Sequence, residues 1–193
     1  HNSQYATVVA EAQVGNYYGD FAAVINKAQD GETVKLLSNF TLTDEDIITA
    51  NGRQVMANVD GKAITLDMNG KKITVNYAGG QYLYAVIRVA DGASLTVTGD
   101  GAIDIPSNGI NVAYMFWKAG TTGTLNVKNG TYHMDNSADS MVYTNGHKIV
   151  TVKGGTWTLD EVGTRTNRFP CIFSAQGTGG KSIIVTGGTY NDD

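Results

Sequence analysis

Three histidines and one cysteine supply all the imidazole and thiol groups in this chain of 193 residues. His133 and His147 are the internal histidines, and neither stands at a metal-ligand spacing from other donors. Cys171 has no histidine placed as its base, and its neighbours Pro170 and Ile172 imply burial. A single cysteine also excludes an intrachain disulfide framework. No Gly-x-Ser-x-Gly elbow, phosphate-binding loop or dinucleotide fingerprint occurs, and no cofactor is expected. Carboxylates remain. Cleaving a polysaccharide takes two of them, or a calcium site, on one face, often beside Arg or Lys. The run TDEDIITANG from Thr43 holds three acids, but in one loop without partner groups. Whether other acids converge depends on the elements that carry them.

Composition points to those elements. Gly (24), Thr (22) and Asn (16) make up about a third of the chain, with only two prolines. This mix favours strands ended by tight turns. The net charge of −4 carries no long runs, which argues against nucleic-acid binding. No apolar run approaches the roughly 18 residues of a membrane span, so no membrane insertion is expected.

Six segments share one pattern of alternating apolar residues, a glycine turn and a second apolar pair. They are VKLLSNFTL (from Val34), ITLDMNGKKITV (Ile64), LTVTGDGAIDI (Leu95), LNVKNGTYHM (Leu125), VTVKGGTWTL (Val150) and IIVTGGTY (Ile183). Their anchors Leu36, Leu66, Val97, Val127, Val152 and Val185 lie 30, 31, 30, 25 and 33 residues apart. A third strand-like run follows in the middle repeats: YAVIRV, AYMFW, SMVYT and CIFSA. Three short strands per unit of about 30 residues predict an all-β fold, a right-handed parallel β-helix of about six coils. A hairpin between the first two strands, giving an antiparallel sandwich, is the rival. Equivalent residues match from repeat to repeat, which favours the solenoid. Asp20, the apolar positions 21, 24, 25 and 28, and Gly31 predict a capping α-helix of about ten residues. The division expected is an extended segment over 1–18, a helix over 19–31 and a β-helix over 32–193, taken from a longer protein. The C-terminal end is expected to lack a cap.

Stacking the repeats tests the carboxylates. Ile73/Val75, Ile103/Ile105, Tyr132/Met134 and Trp157/Leu159 alternate in step and should face inward. Tyr132 and Trp157 are therefore core residues rather than sugar-stacking ones. The outward position between them reads Thr74, Asp104, His133, Thr158, Asn191. The position after that strand reads Asn76, Pro106, Asp135, Asp160, Asp193, which sets Asp135 and Asp160 about 5 Å apart. Like charges that close would raise a pKa or recruit a cation such as calcium. Solvated turn residues are the plainer reading, so neither a catalytic pair nor a metal site is expected.

The helix-then-strand opening DFAAVINKAQDGETVKLL, the run TLDMNGKKI and the repeated VKNGTY/VKGGTW/VTGGTY resemble β-helical modules of large bacterial surface proteins, gut bacteria included. The resemblance covers roughly Asp20 to the C-terminus and implies secretion, an extracellular location and display at the cell envelope. The fold it implies is also that of pectate lyases and polygalacturonases. Of the latter's motifs only GDGAID (Gly99–Asp104) is present; their paired aspartates and Gly-His-Gly are missing.

The third-strand runs look apolar on both faces. Ile87, Met115, Met141 and Ile172 fall on one face, with Val86, Arg88, Tyr114, Phe116, Val142 and Phe173 opposite and Tyr82, Tyr84 and Cys171 at the margin. A strand apolar on both sides is normally buried on both. Its cover could be the N-terminal stretch Tyr5–Val14, a second copy of the chain, or a foreign partner. An open face of Tyr, Phe and Arg has the makings of a binding hot spot, bordered by the loops NYAGGQY, DIPSNGIN, DNSADS and DEVGTRTNRF. Two functions follow. One is a non-enzymatic surface module that binds a host protein, a glycoprotein or an immunoglobulin, or serves as a stalk. The other is a carbohydrate-active β-helix, as a lyase, a hydrolase or a glycan-binding domain.

Overall fold

A computed structural model of the chain describes residues 9–79, 82–106, 112–135, 139–160, 171–176 and 183–192. The expected N-terminal cover over 5–8, Asp193, and most of the loops before the third strands lie outside them. The described residues form an all-β solenoid of about four turns. The first strands, Thr33–Leu36, Ala63–Asp67, Ser94–Thr98, Leu125–Val127, Val150–Val152 and Ile184–Val185, pair in parallel, each with its counterpart one turn away. The second strands do the same: Phe40–Leu42, Lys72–Val75, Ala102–Ile105, Thr131–Met134, Thr156–Leu159 and Thr189–Asp192. So do the third: Arg53–Val59, Leu83–Val89, Val112–Lys118, Ser140–Thr144 and Cys171–Ala175. First strands therefore do not pair with second ones, and the sandwich is excluded.

The glycine motif has a packing reason. Ile73, Ile103, Tyr132, Trp157 and Tyr190 form one column, and the Tyr132 and Trp157 rings stack with centroids 4.1 Å apart inside the coil. Each large ring folds back beneath its own turn. Tyr132 Oη donates to the Asn129 carbonyl at 2.7 Å, Trp157 Nε1 to Gly154 at 3.1 Å, and Tyr190 Oη to Gly187. The turn above must therefore lack a side chain. At Gly155, with φ +95°, a Cβ would sit 2.9 Å from the Gly130 oxygen and 3.1 Å from Trp157 Nε1. That is why aromatic second strands follow Asn-Gly-Thr or Gly-Gly-Thr.

The N-terminal end is closed by helix α1 (Phe21–Lys27), which buries Phe21, Val24 and Ile25. It is shorter than the expected ten residues. Asp20 occupies the N-cap but its side chain makes no capping bond; Glu11 instead accepts from the Phe21 amide at 2.7 Å. At the other end Lys62 Nζ donates to the carbonyls of Ile25, Asn26 and Ala28 at 2.7–2.9 Å, complementing the helix's negative terminus. Ala12–Val14 pairs antiparallel with both Thr33–Leu36 and Tyr17–Gly19. The N-terminal stretch thus extends the first-strand sheet, and residues 9–14 do not cover the third strands. The third-strand sheet ends likewise on an antiparallel strand, Ile48–Ala50, paired with Arg53–Val59.

Candidate functional site

The third strands do not alternate; they bend. Val86 and Ile87 both enter the core cluster, as do Met115 and Phe116, and Met141 and Val142. Pairing between turns skips one position each time: Tyr114 is opposite Ala85 and Phe116 opposite Ile87, with no pair between Met115 and Val86. The same gap recurs at Met56, Met141 and Ile172. Two adjacent side chains can point inward only where the strand turns a corner, and the corner is stacked in register.

This corrects the expected outer face. Phe116 and Val142 are fully buried, and Phe173 packs half-buried against the same core. Ahead of the corner the outward column reads Val55, Ala85, Tyr114, Ser140, Cys171; past it, Asn58, Arg88, Trp117, Tyr143, Ser174. Arg88 and Tyr114 therefore lie on the side of the strand away from the core, Tyr114 half-buried and Arg88 buried. Trp117 and Tyr143, one residue beyond Phe116 and Val142, take the places assigned to those two. Reading the hydrophobic pattern with one inward residue extra would have found them.

The outward side chains form a second aromatic cluster, separate from the core. Tyr114 and Tyr143 stack at 4.3 Å, and Tyr84 lies 4.5 Å from Trp117 and 5.5 Å from Tyr114, with Tyr82 6.0 Å from Tyr84. Two guanidinium groups flank the stack: Arg53 is 4.6 Å from the Tyr84 ring and Arg88 5.1 Å from Trp117. Arg53 was not singled out in the sequence, because it sits outside the repeat pattern near a hairpin turn. Arg88 Nη1 donates to Asn58 Oδ1 at 2.8 Å, while its Nε is buried without a partner among the described residues. Trp117 Nε1 donates to Asn145 at 2.8 Å, Tyr143 to Gln176, and Tyr82 to Asp139. Trp117 and Tyr143 are 8% and 9% exposed, Tyr82 37%, with Tyr84 and Tyr114 between. Burial, with the neighbouring tyrosines and Asp139, pushes the Tyr114 pKa up.

Asp135 is buried, whereas Asp160 is turned toward His133, accepting from Nε2 at 2.9 Å. His133 Nδ1 lies 2.7 Å from Asp104, which pairs in turn with Lys72 at 2.5 Å. This chain of Lys72, Asp104, His133 and Asp160 runs along the outer second-strand face, from Lys72–Val75 to the residue just past Thr156–Leu159. Its diagonal members were missed because columns were read straight across the ladder. Burial disfavours the charged imidazole, but the bonds to Asp104 and Asp160 outweigh it and raise the His133 pKa. Asp104 is likewise penalised by burial, yet Lys72 and His133 hold its pKa below the usual value. With both ring nitrogens tied to carboxylates, the imidazolium is a link between turns rather than a free base. Among the described residues, no group of three His, Cys, Asp or Glu side chains is placed to hold a metal ion.

Comparison with known proteins adds nothing to this geometry: no family model, curated protein or solved structure matches the chain.

Proposed function

We propose that this chain is a non-enzymatic recognition module that binds a host protein, such as a glycoprotein or an immunoglobulin, through the outer face of its third strands. One observation carries the reading: an aromatic cluster held outside the core, flanked by two guanidinium groups. Trp, Tyr and Arg are the residues that dominate protein-binding hot spots. A glycan platform would offer ring faces. Here the faces are turned on one another or on Arg53 and Arg88, which suits a polypeptide better than a stacked sugar. Display at a bacterial surface and kinship with pectate-lyase-like modules rest on the resemblance of the repeat motifs. Right-handed winding is supported by the general hand of parallel crossovers, and six coils by the six first strands.

Titration of the protein against purified immunoglobulin and mucin glycoprotein tests the proposal, alongside a screen for polysaccharide degradation. Tyr114→Ala should weaken the binding observed by about 2 kcal/mol, roughly thirtyfold, with the fold intact. Cleavage of any polysaccharide, or binding indifferent to Tyr114→Ala and Tyr84→Ala, would remove the reading.

A further inference from the structure

At the N-terminal end the third-strand sheet stops at Ile48–Ala50, which pairs only with Arg53–Val59 and has no strand on its other side among the described residues. Exposed edges are normally blunted by Lys, Pro, a covering element or, as this three-residue strand is in part, by shortness. Ile-Thr-Ala carries neither charge nor proline, and Ile48 is 39% exposed. Helix α1 packs on Arg53–Val59 through its buried side and leaves Ala22, Ala23 and Asn26 facing a cleft. The edge strand forms the opposite wall, and the cleft encloses about 560 Å³. A groove between a helix and a free strand edge is the geometry in which extended peptides add a strand, drawing affinity from main-chain hydrogen bonds. The alanines at 22, 23 and 50 let a backbone come close.

Charge selects the occupant. Asp60 and Lys62 both line the cleft, but the Lys62 ammonium is engaged by three helix carbonyls. Asp60 is exposed; its charge acts on Lys62 and Arg88, but no contact ion pair among the described residues uses it. We propose that this cleft receives an extended peptide segment, paired with the edge of Ile48–Ala50 and carrying a Lys or Arg side chain for Asp60. The site is separate from the aromatic face and does not depend on it.

The probe is acetyl-Thr-Val-Lys-Val-Thr-amide, titrated into the 15N-labelled protein. Amide shifts should be confined to residues 22–26, 48–51 and 58–62. Replacing the probe's Lys with Glu, or introducing Asp60→Asn, should weaken binding at least fivefold. A probe N-methylated at alternate residues keeps its side chains but cannot complete a ladder, and its binding should be lost. Ala23→Trp, on the exposed side of α1, should block the cleft without altering the melting temperature by more than a degree or two. Absence of shifts at millimolar probe, shifts centred on Tyr84 and Trp117, or equal binding of the N-methylated probe would each overturn the proposal. Concentration-dependent broadening at 48–51 without probe would also overturn it, in favour of a second copy of the chain as occupant.

Discussion

Two aromatic columns run along this solenoid, and they use the same rings in opposite ways. Inside, Tyr132 and Trp157 stack at 4.1 Å; outside, Tyr114 and Tyr143 stack at 4.3 Å. Ring chemistry and spacing barely differ. The anchoring of the polar tips does. The inner tips are tied to carbonyls of their own glycine turns, which cannot move without moving the strand. The outer groups are tied to side chains, Trp117 to Asn145 and Tyr143 to Gln176. Such bonds can be exchanged for bonds to a partner at little cost, because a side-chain amide can re-pair by rotation. Stacked aromatics by themselves therefore say nothing about function in a solenoid; what holds their tips does.

The contrast is sharpest at two neighbours in one strand. Phe116 is fully buried among core side chains, and Phe116→Ala should cost about 3–5 kcal/mol in urea unfolding, as large-to-small core changes do. Tyr114 is half-buried in the outer cluster, and Tyr114→Ala should cost about 1 kcal/mol. Equal losses would mean that the corner is misplaced. A second comparison isolates the turn that holds the inner column. Gly52 and Gly155 both have positive φ, but a Cβ at Gly52 meets nothing within 4 Å. Gly52→Ala should cost only the left-handed strain, about 1–2 kcal/mol. Gly155→Ala should exceed it by about 1 kcal/mol or more, from contact with the Gly130 carbonyl and the Trp157 ring beneath.

Much of the inner half was legible in the sequence. The six repeats, the inward register of Ile73, Ile103, Tyr132 and Trp157, and the capping helix follow from period, turn chemistry and alternation, which local residues determine. The outer half was less so. Strict alternation across the corner put Phe116 and Val142 outside and overlooked Trp117 and Tyr143, because a bend that admits two inward residues leaves no mark in composition. Arg53 and the diagonal pairs Lys72–Asp104 and His133–Asp160 depend on side chains reaching between turns, and straight columns do not describe that reach. Asp135 and Asp160 follow neighbouring second strands, one buried and the other bonded to an imidazole.

Charges inside and outside should also respond oppositely to pH. Lys118 is fully buried at the end of a third strand, its ammonium donating to the carbonyls of Ala90 and Ala119 at 2.8 and 2.7 Å. Burial lowers its pKa to about 8, only partly countered by Asp91. Between that value and the ordinary 10.5 the unfolded chain holds a proton that the folded one has lost, so stability rises with pH. A gain of about 1–2 kcal/mol from pH 8 to 9.5 is expected, and Lys118→Met should abolish it. A flat profile in the parent protein would mean that the ammonium is solvated.

The outer relay should give the smallest effect, with the reverse sign. The raised His133 pKa means that the folded state favours the imidazolium, so its contribution is complete below about pH 6.5 and fades as pH rises through the folded value. The depressed Asp104 pKa sets the acid limit, since that contribution is lost as pH falls through the folded value. The relay is therefore strongest in a mildly acidic window, between the aspartate and histidine ranges. His133 and Asp160 are partly exposed, with side-chain accessibilities of 32% and 51%, so solvent screening keeps the total below about 1 kcal/mol. Thermal unfolding at pH 5.5 and 7.5, both below the Lys118 window, separates the two groups. The parent protein should melt slightly higher at pH 5.5 than His133→Gln does, and the difference should shrink at pH 7.5. A variant that loses as much at pH 7.5 as at 5.5 would show that His133 holds the turns by packing alone, as the inner column does, and that charge adds nothing to the outer face.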